Sequence, residues 1–143
     1  MEAPSLIGWR EWVSLPELGI RRIKTKVDTG ARTSALHAFC VEVIEEASQK
    51  KKVCFVMRLH SRRSPSETIQ CSADLVDIRE ITDSGGHKEQ RCVIKTPLVV
   101  GRRRWIIEIT LTSRDNMRFK MLLGRTALTG RFIVDPSRSY LIK

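Results

Sequence analysis

Short runs rich in β-branched and alternating apolar residues recur at close intervals along this chain, split by Gly, Pro and Asp turn signals, and helical periodicity is nearly absent. That pattern restricts the chain to all-β architectures. Strands are expected over residues 8–15, 20–28, 35–44, 53–59, 68–81, 90–100, 105–111 and 117–123, with terminal strands at 132–134 and 139–142. Residues 124–130, Gly-Arg-Thr-Ala-Leu-Thr-Gly, suit one short helix stopped by Gly130. The expected fold class is all-β, a closed barrel or sandwich with a short helix after Gly124.

With 143 residues the chain can bury a core without metal or disulfide staples, and one domain over residues 1–143 is expected. Cys40, Cys54, Cys71 and Cys92 are spread with no Cys-x-x-Cys pair, which suits reduced core residues better than a disulfide frame or zinc site. No run approaches the roughly 18 apolar residues of a membrane helix, and no signal peptide is visible, so a cytoplasmic location without membrane contact is expected. Against 16 Asp and Glu stand 26 Lys and Arg, a net charge of +10 that favours polyanionic partners without choosing among them.

Two motifs carry the functional reading. Residues 26–36, Lys-Val-Asp-Thr-Gly-Ala-Arg-Thr-Ser-Ala-Leu, deliver the carboxylate of Asp28 from the end of a strand into a tight turn. Asp-Thr-Gly alone also makes an ordinary surface turn. Residues 121–128, Met-Leu-Leu-Gly-Arg-Thr-Ala-Leu, end a late apolar strand at the start of the short helix. Between them, Gly85-Gly86 separate two β runs, as at the tip of a hairpin.

Together these strings resemble the retropepsin-like aspartic peptidases, and more narrowly a bacterial branch often labelled ATP-dependent zinc protease, or RimB-like after its association with a ribosomal-protein glutamate ligase. The resemblance runs from Gly8 to Ile142. It implies the closed acid-protease barrel and hydrolysis of peptide bonds by a pair of aspartates. Two carboxylates held close share one proton; the ionised one takes a proton from the attacking water, and the protonated one hydrogen-bonds the substrate carbonyl. The chain has one Asp-Thr-Gly and is too short for the two-lobed version, so the resemblance implies a two-fold homodimer with Asp28 from each copy on the axis. Thr29 would lock the two loops together, Gly30 would admit the partner's backbone, and Ala31 would let substrate backbone pass. Leu123, Gly124 and Arg125 would support the site from behind.

Position 32 departs from the retroviral pattern, in which an aspartate two places after the glycine pairs with the arginine of the second motif. Arg32 cannot pair with Arg125. Its planar fork suits a carboxylate, so one reading is an acidic, glutamate-rich peptide substrate; the other is an internal salt bridge, for instance with Glu42 or Asp74. Gly85 and Gly86 serve either as hinges of a substrate-covering flap or as a plain hairpin tip. His37 follows the first motif closely and faces either the cleft or the core.

Neither zinc nor ATP finds support in the residues. His37, His60 and His87 stand far apart, and no Gly-x-x-x-x-Gly-Lys loop is present, so no metal and no cofactor are expected. The rival class is a non-catalytic basic β-barrel gripping nucleic acid or acidic peptide through Lys50-Lys51-Lys52, Arg62-Arg63 and Arg102-Arg103-Arg104. Nucleic-acid surfaces interleave aromatics with cations, whereas here the tryptophans stand apart from most basic runs in sequence.

Overall fold

The computed structural model describes residues 3–47, 49–59, 67–83, 85–113 and 118–142. Strands β1 (Ser5–Gly8), β2 (Arg10–Leu15), β3 (Ile20–Val27), β4 (Ser34–His37), β5 (Phe39–Glu45) and β6 (Lys51–Leu59) occupy the first part of the chain. They are followed by β7 (Glu67–Thr82), β8 (Lys88–Val100), β9 (Arg103–Thr112), β10 (Met121–Leu123), helix α1 (Arg125–Leu128) and β11 (Phe132–Asp135).

Nine strands form one sheet in the order β2, β3, β10, β4, β9, β8, β7, β6, β5. A bridge between Ser14 and Val99 joins β2 to β8 and closes the ring from β2 round to β8, giving the expected all-β barrel. The hairpins of β7, β6 and β5 continue outward from it, while β1 and β11 form a separate parallel pair. The alternation legible in the sequence separates buried from solvent-facing positions: Val13 and Leu15 are buried from β2, and Val53, Phe55 and Met57 from β6. These join Ile20, Leu36, Ile94, Leu98, Ile109, Met121 and Leu123 in the core cluster. Each fully buried aliphatic side chain contributes about 1.5–3 kcal/mol relative to exposure.

The barrel breaks several expected strands. Residues 35–44 divide at Ala38: β4 lies between β10 and β9, whereas β5 pairs with β6 after a bulge in which Cys40 adopts φ 52°. A straight strand would leave the closed ring, so the chain bends where it changes neighbours. Likewise residues 8–15 divide at Trp9, and of the expected strand 117–123 the described residues 118–123 are strand only over Met121–Leu123. Of the Lys50-Lys51-Lys52 run, Lys51 and Lys52 lie at the start of β6. The expected loop 61–66, with Arg62 and Arg63, and His60 lie outside the described residues.

The final segment, 139–142, is not a strand. Tyr140 donates its backbone N–H to the Arg10 carbonyl at 3.0 Å. The carboxylate of Glu11, fully buried, accepts backbone N–H groups from Gly8 at 2.7 Å, Leu141 at 2.9 Å and Ile142 at 3.2 Å. A buried carboxylate is tolerated there because three donors replace its water shell. Among the described residues, no helix is long and apolar enough to cross a membrane.

Candidate active site

Strand β10 runs parallel to β3 and antiparallel to β4, so the connection from β3 to β4 must cross over the end of β10. That connection is residues 28–33, and the end of β10 is Leu123-Gly124-Arg125. The fold therefore brings together the two motifs, which lie far apart in sequence. Asp28 donates its N–H to the Leu123 carbonyl at 2.9 Å, Arg125 donates its N–H to the Ala31 carbonyl at 2.8 Å, and Thr126 to that of Arg32 at 3.0 Å. From its side chain, Arg125 Nη1 donates to the Thr29 carbonyl at 3.0 Å.

Glycine at 124 has a steric cause. A Cβ there would stand 2.6 Å from the Thr33 carbonyl carbon and 2.9 Å from the Ser34 nitrogen, inside any real contact. The Gly124 N–H is satisfied by the buried hydroxyl of Ser34 at 3.0 Å. Ser34 was not singled out from the sequence, although it lies within the first motif.

The turn itself is shaped by its carboxylate. Asp28 Oδ1 accepts the Gly30 N–H at 3.0 Å, and the Asp28 carbonyl accepts that of Ala31 at 3.2 Å, an Asx-type turn. Asp28 is partly buried, while Thr29 and Gly30 are exposed. Oδ2 of Asp28 has no hydrogen-bond donor among the described residues, and Asp28, Gly30, Ala31 and Arg32 help to line a cleft of about 1120 Å³. A second, more open concavity of about 600 Å³ beside Lys50 and Val76 holds none of the candidate residues.

The cleft is also lined by residues 79–83, from the end of β7 and the residue after it, and by Arg91, Glu108, Thr110 and Thr112 on β8 and β9. Four arginines and four carboxylates thus line it: Arg32, Arg79, Arg91 and Arg125 against Asp28, Glu80, Asp83 and Glu108. Arg79 makes a two-pronged contact with Glu108, at 2.8 and 3.2 Å, and a further one with Asp77 at 2.7 Å. Hydrogen bonding from Arg79 holds the carboxyls of both Glu108 and Asp77 below the usual carboxylate range. Arg91 contacts Glu89 at 2.9 Å and Thr110 at 3.3 Å. Arg125 is committed to Thr29. Arg32 is exposed and, among the described residues, has no ion pair, so neither Glu42 nor Asp74 holds it.

Gly85 and Gly86 occupy the tip of the β7–β8 hairpin, Gly86 with φ 84°. Asp83 organises that tip, its Oδ1 accepting the N–H groups of Gly85 and His87, each at 2.9 Å. The cleft lining reaches Asp83 but neither glycine. His37 faces the core: it is buried and packs on the Phe39 ring at 4.7 Å between centroids. Among the described residues no three His, Cys, Asp or Glu side chains gather as metal ligands.

Comparison with known proteins gives the chain its family. The chain is 43% identical to a probable alpha-L-glutamate ligase of Desulfotalea psychrophila over 94% of its own length and 29% of that protein's. With a protein of the same description from Shewanella pealeana it shares 39% identity over 96% of its length and 30% of the relative's. The chain therefore spans less than a third of these relatives. In fold it matches a Legionella pneumophila protein of unknown function with a TM-score of 0.79 and 23% identity, covering 97% of this chain and 98% of the other. Residues 6–143 match the model for the RimB-like family, described as retropepsin-like aspartic endopeptidase RimB, and the chain belongs to that family.

Proposed function

We propose that the chain is an aspartic endopeptidase that works as a homodimer and cleaves acidic, glutamate-rich peptides. The observation that carries this reading is the Asp28 turn: its carboxylate lines a peptide-sized cleft and is braced by the second motif, while its neighbours Thr29 and Gly30 stay exposed. No second carboxylate is hydrogen-bonded to Asp28 among the described residues, so a dyad requires Asp28 from another copy. In the dimer one Asp28 is ionised and takes a proton from water as it attacks the scissile carbonyl. Its protonated partner hydrogen-bonds the carbonyl oxygen, then passes a proton to the leaving amine.

Arg32 supports the acidic preference, because it is the cleft arginine left without a protein partner among the described residues. The remaining cations are neutralised or braced, so specificity would rest on one guanidinium rather than on net charge. The names of the relatives point the same way, since a glutamate ligase and a peptidase for glutamate chains handle the same bond in opposite directions. Those names refer to proteins more than three times as long, so their ligase activity is not transferred to this chain.

The test is incubation of the parent and Asp28→Asn proteins with poly-α-glutamate and with neutral peptides, read by mass spectrometry. Cleavage of the acidic polymer by the parent alone is expected. Binding without cleavage by both proteins would favour the rival reading of a non-catalytic module for acidic peptide.

A further inference from the structure

The outward face of the β2–β3 ribbon alternates cations with aromatic rings. Register pairs Arg10 with Lys26 and Trp12 with Lys24, so these four side chains share one face. The Arg10 guanidinium stands over the Trp9 ring at 4.6 Å and over the Tyr140 ring at 5.0 Å. Trp12 stacks on Tyr140 at 6.2 Å with 20° between the planes. Arg22 lies 4.1 Å over Trp12, and the Lys24 ammonium 5.3 Å from the same ring. Across the face the order is Trp9, Arg10, Tyr140, Trp12, then Arg22 with Lys24. Trp12 and the cations Arg22 and Lys24, apart in sequence, are therefore neighbours in the fold, so aromatics and cations interleave here outside the basic runs of the sequence.

Neither β2 nor β3 places an acidic side chain on this face. The one acidic residue of β2, Glu11, is buried on the opposite face, and β3 has none. Among the described residues, Arg10, Arg22, Lys24 and Lys26 form no ion pair. Cation–π contact fixes a guanidinium without consuming its N–H donors, so little side-chain entropy is lost when an anion arrives. Arg10 donates its Nε–H to the Ser139 hydroxyl at 3.2 Å and keeps its terminal nitrogens for an anion. The rings of Trp9, Trp12 and Tyr140 are half-buried and lie among the cations. A strip of unpaired cations fits a chain of repeating negative charge, and interleaved rings fit one that also carries flat bases. An acidic peptide would use the cations but not the rings.

We infer that this face binds single-stranded nucleic acid, with phosphates on Arg10, Arg22, Lys24 and Lys26 and bases against Trp9, Trp12 and Tyr140. It lies on the outer side of β3, the strand that leads into Asp28, and it is independent of any chemistry there.

The test is fluorescence titration of the chain with a short oligouridylate. Binding is expected to quench the indoles and to survive Asp28→Asn. With four phosphate contacts, the logarithm of affinity should fall against that of salt with a slope of about −3. The double variant Arg22→Ala, Lys24→Ala should weaken binding about tenfold or more, whereas Lys50→Ala, Lys51→Ala should match the parent. Trp12→Leu should weaken it about tenfold with the slope unchanged, which is the signature of stacking. If that variant fails to fold, the double variant decides alone. Absence of binding, or equal loss in the Lys50, Lys51 variant, would overturn the inference. So would poly-α-glutamate or phosphatidylserine vesicles displacing the oligomer at equal charge, which would assign the face to acidic peptide or membrane.

Discussion

Arg125 Nη1 donates to the carbonyl oxygen of Thr29 at 3.0 Å, tying the start of helix α1 to the turn that presents Asp28. Three backbone hydrogen bonds join the same two segments, from Asp28, Arg125 and Thr126. The side-chain contact is thus the adjustable part of an otherwise backbone-built brace. Arg125→Ala should leave the fold intact, at a cost of about 1 kcal/mol in a denaturant titration. It should lower kcat/KM about 10- to 100-fold, since a small displacement of a reacting group is costly.

Two glycines near the site should respond in opposite ways. Gly124→Ala forces a Cβ to 2.6 Å from the Thr33 carbonyl carbon, where backbone must move, and should cost about 2–3 kcal/mol of stability. A Cβ at Gly30 meets only Asp28 Oδ1, at 3.2 Å. Gly30→Ala should therefore change stability by less than about 1 kcal/mol yet displace the carboxylate and depress turnover. Denaturant midpoints and steady-state kinetics on both variants check the contrast.

Arg32→Ala should raise KM for glutamate-rich peptides about tenfold and leave neutral peptides almost unchanged, because the cleft's other arginines are already engaged by the protein. Side-by-side kinetics on the two substrates measure it. An equal rise for both would remove Arg32 from specificity.

Acid should weaken the hairpin wall of the cleft. Hydrogen bonds from Arg79 lower the folded-state pKa of Glu108 and of Asp77. Stability from these groups is therefore complete above the unfolded carboxylate pKa, about 4, and is lost as pH falls through the lowered folded values. Arg79→Gln should be less stable than the parent at neutral pH and nearly equal to it at about pH 2, as urea midpoints would show. Both carboxylates are partly exposed, so the difference should be small.

Much of the strand pattern was legible because alternation is local: Val53, Phe55 and Met57 alternate in sequence and in burial alike. The Asp28 turn was legible for the same reason, since Asp-Thr-Gly encodes its own hydrogen bond from Gly30 to the carboxylate. Strand ends were less so. The division of residues 35–44 at Ala38 follows from a change of neighbouring strand, which no local pattern records. His37 gave no sign of its direction, because the same position alternates into core or cleft depending on how β4 is placed.

By itself the sequence determined an all-β chain, a carboxylate at a strand end and a Gly-Arg step before a short helix, because these depend on side-chain period and turn chemistry among near neighbours. Tertiary structure alone decided that Gly124 lies beneath Thr33, that Arg79 and Arg91 are neutralised while Arg32 is not, and that Tyr140 joins Trp12. Those relations are set by strand order and register when the barrel closes, between residues whose separation in sequence carries no pairing signal.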